Sequence, residues 1–123
     1  MNNTIGVLLG VLVYTINMAF IQILIKWGVG QMGTLHIRNL WSIIWGVIRN
    51  PFLMGSISLL AFSFFLWIFI LSRSKLIIVF PMTALTYIFV PLLSYFLLGE
   101  RLSPFGYVGI FLITSGIFFL LYK

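Results

Sequence analysis

Charged side chains interrupt this chain at Lys26, Arg38, Arg49, Arg73, Lys75, Glu100, Arg101 and Lys123, leaving four long uncharged runs at 1–25, 50–72, 76–99 and 102–122. Each run holds 21 to 25 residues, and a helix needs about 20 apolar residues to cross a hydrocarbon core about 30 Å thick. The pattern predicts four transmembrane helices, over about 4–25, 51–72, 76–98 and 104–122, within a single domain, 1–123. One Lys, Arg or Asp at the centre of such a helix costs roughly 2.5 to 3.5 kcal/mol on insertion. None of the four runs carries one. The first run has no basic start and no small-x-small cleavage site, and its apolar stretch exceeds the roughly 7 to 15 residues of a signal peptide, so it reads as a retained first helix.

Between the first two runs the pattern changes period. Asn39, Ser42, Gly46 and Arg49 fall on one side of a helix with Arg38 beside them, Leu40, Ile43, Ile44, Val47 and Ile48 fall elsewhere, and Trp41 and Trp45 flank the polar stripe. This predicts a short interfacial helix over about 38–49, in the headgroup plane, where basic residues meet anionic lipid and indoles sit at the boundary. Pro51 and Pro104 suit first helical positions, and Ser103 suits an N-cap. Pro81 and Pro91 lie inside the third run, where each removes a backbone hydrogen bond, so that helix is expected to bend.

Composition sharpens the class. Of 123 residues 63% are hydrophobic and 7% charged, with a mean hydropathy of +1.24, whereas a soluble domain has about 25% charged residues. The chain is an all-α membrane protein by this reading. With one acid, one histidine (His36) and no cysteine, it lacks the parts for acid–base pairs, nucleophilic triads or metal sites. No catalytic residue, metal or cofactor is therefore expected. The net charge of +6 is scattered among loops instead of forming a patch, which favours anionic lipid headgroups over nucleic acid as partners. Lys26, Arg38, Arg49 and Arg101 fall on one side of the membrane, and Arg73, Lys75 and Lys123 on the other. This near balance fits an antiparallel, dual-topology dimer, with partner-assisted one-sided insertion as the alternative.

Polar side chains inside the spans need partners, because lipid offers none. Thr83, Tyr87, Val90 and Ser94 form one stripe on the third helix, with Thr86 about 60° away. On the first, Tyr14 and Asn17 lie close together, while Thr15, Gln22 and Lys26 make a second stripe. These helices are the candidates to line a cavity. Against that, Ser and Thr often bond back to their own helix, Asn and Gln can join helices, and Lys can snorkel to the interface. Gly6 and Gly10 have a spacing that admits close helix approach.

The stretch FPMTALTYIFVPLLSYFLLGERLSPFGYVGIFLITSGIFFL, with SRSKLIIV before it, resembles the carboxyl half of the drug/metabolite transporter superfamily, which includes EamA-like domains and four-helix small multidrug resistance proteins. The turn at Gly99-Glu100-Arg101-Leu102-Ser103 looks like that superfamily's helix-turn motif before its last helix, and Gly109 and Gly116 match its glycine-spaced dimer helix. The resemblance implies a dimeric transporter of the bacterial or archaeal cytoplasmic (inner) membrane, as a homodimer or as a heterodimer with a homologous subunit. Small multidrug exporters carry a glutamate in helix 1, and this helix has no acid. The remaining neutral and basic groups suit an anionic substrate. In pattern the chain is closest to flippase subunits for undecaprenyl-phosphate-linked aminoarabinose. The expectation is translocation of a polyprenyl-phosphate or lipid-linked sugar, with Lys26, Arg38 and Arg49 receiving phosphate and Tyr14, Asn17, Gln22, Thr83, Tyr87 and Ser94 contacting the headgroup. A small multidrug-type exporter of cationic or polar molecules and a non-transporting accessory subunit are the alternatives.

Overall fold

The computed structural model describes residues 2–32 and 39–122. Arg38, His36 and Lys123 lie outside the described residues. The chain forms α1 (Asn2–Met32), α2 (Leu40–Arg49), α3 (Pro51–Arg73), α4 (Leu76–Met82), α5 (Thr86–Leu93) and α6 (Pro104–Leu121). A 3-10 stretch, Thr83–Leu85, joins α4 to α5, and a π-helical turn, Ser94–Leu98, ends α5. Four helices, Thr4–Met32, Pro51–Arg73, Leu76–Leu98 and Pro104–Leu121, are long and apolar enough to cross a membrane. The chain is thus an all-helical protein with four candidate spans.

The two helix starts signalled by proline form by ordinary capping. Ser103 Oγ accepts from the Gly106 amide at 3.2 Å ahead of Pro104, and Asn50 Oδ1 accepts from the Phe52 amide at 3.0 Å ahead of Pro51. Each cap satisfies an orphan donor of the first turn. α1 continues to Met32 where the sequence pattern stops near residue 25. The extension is held from outside: Asn50 Nδ2 donates to the Gly28 carbonyl at 3.0 Å and to Gln31 Oε1 at 3.4 Å. Trp27 also meets Phe52 edge-on with centroids 5.9 Å apart.

α1 is the central element, packed against α3 on one side and α5 on the other, while α6 touches α4, α5 and the 3-10 stretch. Gly10 lies against Ile70, Asn17 against Ser63 and Gly28 against Leu53, which fixes an antiparallel register between α1 and α3. A Cβ on Gly28 would come within 2.5 Å of Leu53 Cγ, so only glycine allows this approach without displacing Leu53. Of the spaced pair expected to admit a neighbour, Gly10 does so and Gly6 has nothing within 4 Å. Val7, Val11, Ile70, Val79 and Met82 form one buried apolar cluster, flanked by Tyr14, Leu66 and Trp67, and Ala19, Ile21, Ile23 and Leu53 are buried elsewhere along α1 and α3. Lipid tails are as apolar as these side chains, so close packing and interhelical hydrogen bonds carry association here.

The third span changes pitch where its prolines sit. Pro81 precedes the 3-10 stretch and Pro91 precedes the π turn; a proline has no amide to donate, and the ladder re-pairs with different spacing. The span ends at Gly99, which adopts φ +69°, a left-handed conformation that glycine takes without a steric cost.

Candidate functional site

Along α1, Tyr14, Met18, Gln22 and Lys26 recur every four residues and so lie on one face. The first three line a cleft of about 460 Å³ whose other wall is Thr83, Thr86, Tyr87, Val90 and Pro91. The cleft therefore lies between the first and third spans, and it joins Tyr14, Gln22, Thr83 and Tyr87.

Its chemistry depends on what each polar group already does. Thr83 Oγ1 donates to the Phe80 carbonyl and Thr86 Oγ1 to the Thr83 carbonyl, both at 2.6 Å, so these hydroxyls offer only lone pairs to the cleft. Tyr14 packs on Trp67 with ring centroids 5.1 Å apart. Gln22 and Tyr87 are both exposed, and neither side chain makes a hydrogen bond among the described residues. The cleft thus presents one amide, two phenols and two hydroxyl oxygens between two spans, and among the described residues neither the amide nor either phenol makes a hydrogen bond.

Three sequence expectations are redistributed. Asn17 does not share the face of Tyr14; its Nδ2 donates to Ser63 Oγ and, at 3.4 Å, to the Leu59 carbonyl, which makes it an α1–α3 clamp. Thr15 is fully buried and its Oγ1 donates to the Leu12 carbonyl at 3.0 Å. Ser94 parts from Thr83 and Tyr87 and lines a different cleft, beside Tyr95, Arg101 and Tyr107. The reason is helical pitch. In a 3-10 turn residues i and i+3 eclipse, so Thr83 and Thr86 come into line, and the π turn that begins at Ser94 turns the end of the span onto a different face. Thr86 and Met18 are the cleft residues that the residue pattern assigned least weight. The proline pair was the available signal for Thr86, whereas methionine in an apolar run gives none.

The basic residues are placed separately. Lys26 extends the α1 stripe into a third cleft of about 560 Å³, with Trp27, Gln31, Phe52, Leu98 and Glu100. Its Nζ lies 3.5 Å from Glu100 Oε1, with both side chains more than half exposed. Such a pair stabilises little, but it places the turn at Glu100 beside the last third of α1. Arg49 lies on α2, its guanidinium 5.8 Å from the Trp45 ring centroid, and is absent from the walls of these three clefts. On α2 the exposed side chains are mostly apolar, Leu40, Trp41, Ile44, Trp45 and Ile48, with Ser42 and Arg49 among them, while a Cβ on Gly46 would meet Met32 Cε. Gly109 and Gly116 have nothing within 4 Å, on a helix whose only buried residue is Ile117.

No family model, curated protein or solved structure matches the chain.

Proposed function

We propose that the chain is a membrane transporter subunit that moves an anionic lipid carrier, a polyprenyl-phosphate or its sugar-linked form, across the bilayer. The observation that carries this reading is the set of polar groups without a hydrogen bond among the described residues, Gln22, Tyr87 and the Tyr14 hydroxyl, facing one cleft within two apolar spans. An amide left without hydrogen bonds in hydrocarbon costs several kcal/mol, which a polar headgroup in transit would offset. The Lys26 ammonium, one helical turn beyond Gln22 on the same face, receives phosphate at the cleft's end after exchanging Glu100 for it. The cleft walls come from α1 and the third span alone, and a second subunit docked through the bare α6 face, with Gly109 and Gly116, encloses the path. α2 lies in the headgroup layer, its aromatic apolar face toward lipid and Arg49 toward phosphate. The membrane is the cytoplasmic one of a bacterium or archaeon.

The test is a flipping assay in liposomes with a short-chain fluorescent polyprenyl phosphate. Wild-type protein is expected to accelerate flipping over protein-free vesicles, and Gln22→Leu, Tyr87→Phe and Lys26→Ala to slow it. Rates in these three variants equal to wild type would remove the cleft from the mechanism, and no acceleration by wild type alone or by copurified partner would end the transporter reading.

A further inference from the structure

The cleft that holds Ser94 has a different character from the one between α1 and α5. It is about 530 Å³, and its apolar walls include Ile88, Leu92, Phe96 and Ile110, contributed by α5, the π turn and α6. Glu100 and Arg101, in the turn between the third span and α6, also line it. A slot of this kind between two spans has the shape and polarity of a hydrocarbon chain with a charged group at one end.

Charge identifies the head of that chain. Glu100 is the only acidic side chain in the sequence, and it is paired with Lys26. Arg101 therefore has no acidic side chain left to pair with among the described residues, and a guanidinium is built for bidentate contact with phosphate oxygens. Hydroxyl chemistry agrees. Thr15, Ser56, Ser58, Ser72, Thr83, Thr86, Thr114 and Ser115 all donate to a carbonyl three or four residues back, whereas the Ser94 hydroxyl makes no hydrogen bond among the described residues. Its backbone carbonyl instead receives the Gly99 amide and, at 3.3 Å, the Glu100 amide. That closure, possible because Gly99 takes φ +69°, ties the Arg101 turn directly to Ser94.

We propose that this cleft binds an anionic phospholipid of the surrounding bilayer, one acyl chain lying between α5 and α6 and the phosphate held by Arg101, with the Ser94 and Tyr107 hydroxyls donating to it. The site requires only that α5 and α6 lie in a membrane; it does not depend on transport through the α1–α5 cleft.

Native mass spectrometry of the full chain, released from micelles doped with equal phosphatidylglycerol and phosphatidylcholine, tests the assignment. Phosphatidylglycerol is expected to be retained about tenfold over phosphatidylcholine: both offer a phosphate to Arg101, but the choline cation neutralises its headgroup and repels the guanidinium, a difference of about 1.4 kcal/mol. Arg101→Gln is expected to abolish the preference, Arg101→Lys to keep part of it, and Ile110→Trp, which fills the slot, to reduce retention of both lipids. Arg73→Gln, at the far end of α3, is expected to leave the preference intact. Equal retention of the two lipids, an unchanged preference in Arg101→Gln, or an equal loss in Arg73→Gln would overturn the site. Retention of inorganic phosphate without lipid to the same extent would overturn the acyl-chain assignment. No acceleration of flipping by wild type, with the Arg101-dependent preference present, sinks the transport reading and leaves this one standing; accelerated flipping that depends on Gln22 and Tyr87, with no Arg101-dependent preference, does the opposite.

Discussion

Replacing Asn50 with alanine removes two kinds of bond at once, and the structure allows them to be separated. Asn50 is 7% exposed; its Oδ1 caps α3 through the Phe52 and Leu53 amides at 3.0 and 3.5 Å, while its Nδ2 crosses to α1 at Gly28 and Gln31. Loss of an N-cap costs about 1 kcal/mol. An interhelical side-chain bond in a membrane protein contributes about 0.6 kcal/mol, and at most about 1.7. Asn50→Ala is therefore expected to destabilise by about 1.5 to 2.5 kcal/mol. Asn50→Ser keeps a capping oxygen and loses the reach to α1, so its expected cost is the interhelical part alone, about 0.6 kcal/mol. Asn50→Asp keeps the cap but sets a carboxylate oxygen against the Gly28 carbonyl oxygen, and is expected to be less stable than Asn50→Ser. Reversible unfolding in mixed micelles, followed by circular dichroism against the mole fraction of dodecyl sulfate, ranks the four proteins. If Asn50→Ser matched wild type, the crossing bonds would contribute nothing, and the α1–α3 register would rest on apolar packing.

Two further perturbations probe the same seam. Gly28→Ala puts a methyl 2.5 Å from Leu53 Cγ and is expected to cost about 1 to 3 kcal/mol, the range for overpacking, whereas Gly30→Ala, with nothing within 4 Å, is expected to be neutral or slightly stabilising in the same unfolding titration; equal effects at both positions would refute the close approach. Asn17→Leu and Ser63→Ala, measured singly and together, are expected to show a coupling of about 0.6 kcal/mol and no more than about 1.7, and additive costs would mean that the two side chains do not act as a pair.

How far the candidate site could be read from sequence depended on whether ideal helical periodicity held locally. On α1 it held, and Tyr14, Gln22 and Lys26 share a face because four-residue steps keep a regular helix in line. The sequence reading nonetheless set Tyr14 with Asn17. Residues three apart are neighbours on a helix, but Asn17 sits at the edge that α3 covers, where Ser63 and the Leu59 carbonyl satisfy it. On the third span the regular period fails. The 3-10 stretch after Pro81 aligns Thr86 with Thr83, and the π turn after Pro91 sends Ser94 to another cleft. Prolines announce that a membrane helix will re-pair its backbone; they do not say in which pitch, because that depends on the helices packed beside it.

The sequence by itself determined the number of candidate spans, the breaks between them and the two proline-led helix starts. Those features arise from the cost of placing charge in hydrocarbon and from the missing amide of proline, which act residue by residue and need no knowledge of neighbours. Only the tertiary structure decided which polar groups find partners and which remain unsatisfied. Asn17 and Asn50 bond across to a neighbouring helix, Lys26 meets Glu100, and the side chains of Gln22, Tyr87 and Ser94 make no hydrogen bond among the described residues. That outcome depends on helix register and rotation about each axis, set by contacts such as Gly28 against Leu53 and Gly10 against Ile70 between residues some twenty-five to sixty positions apart. A shift of a single residue along either helix turns its side chains by about 100°, which would exchange the satisfied groups for the free ones while leaving the hydropathy pattern untouched.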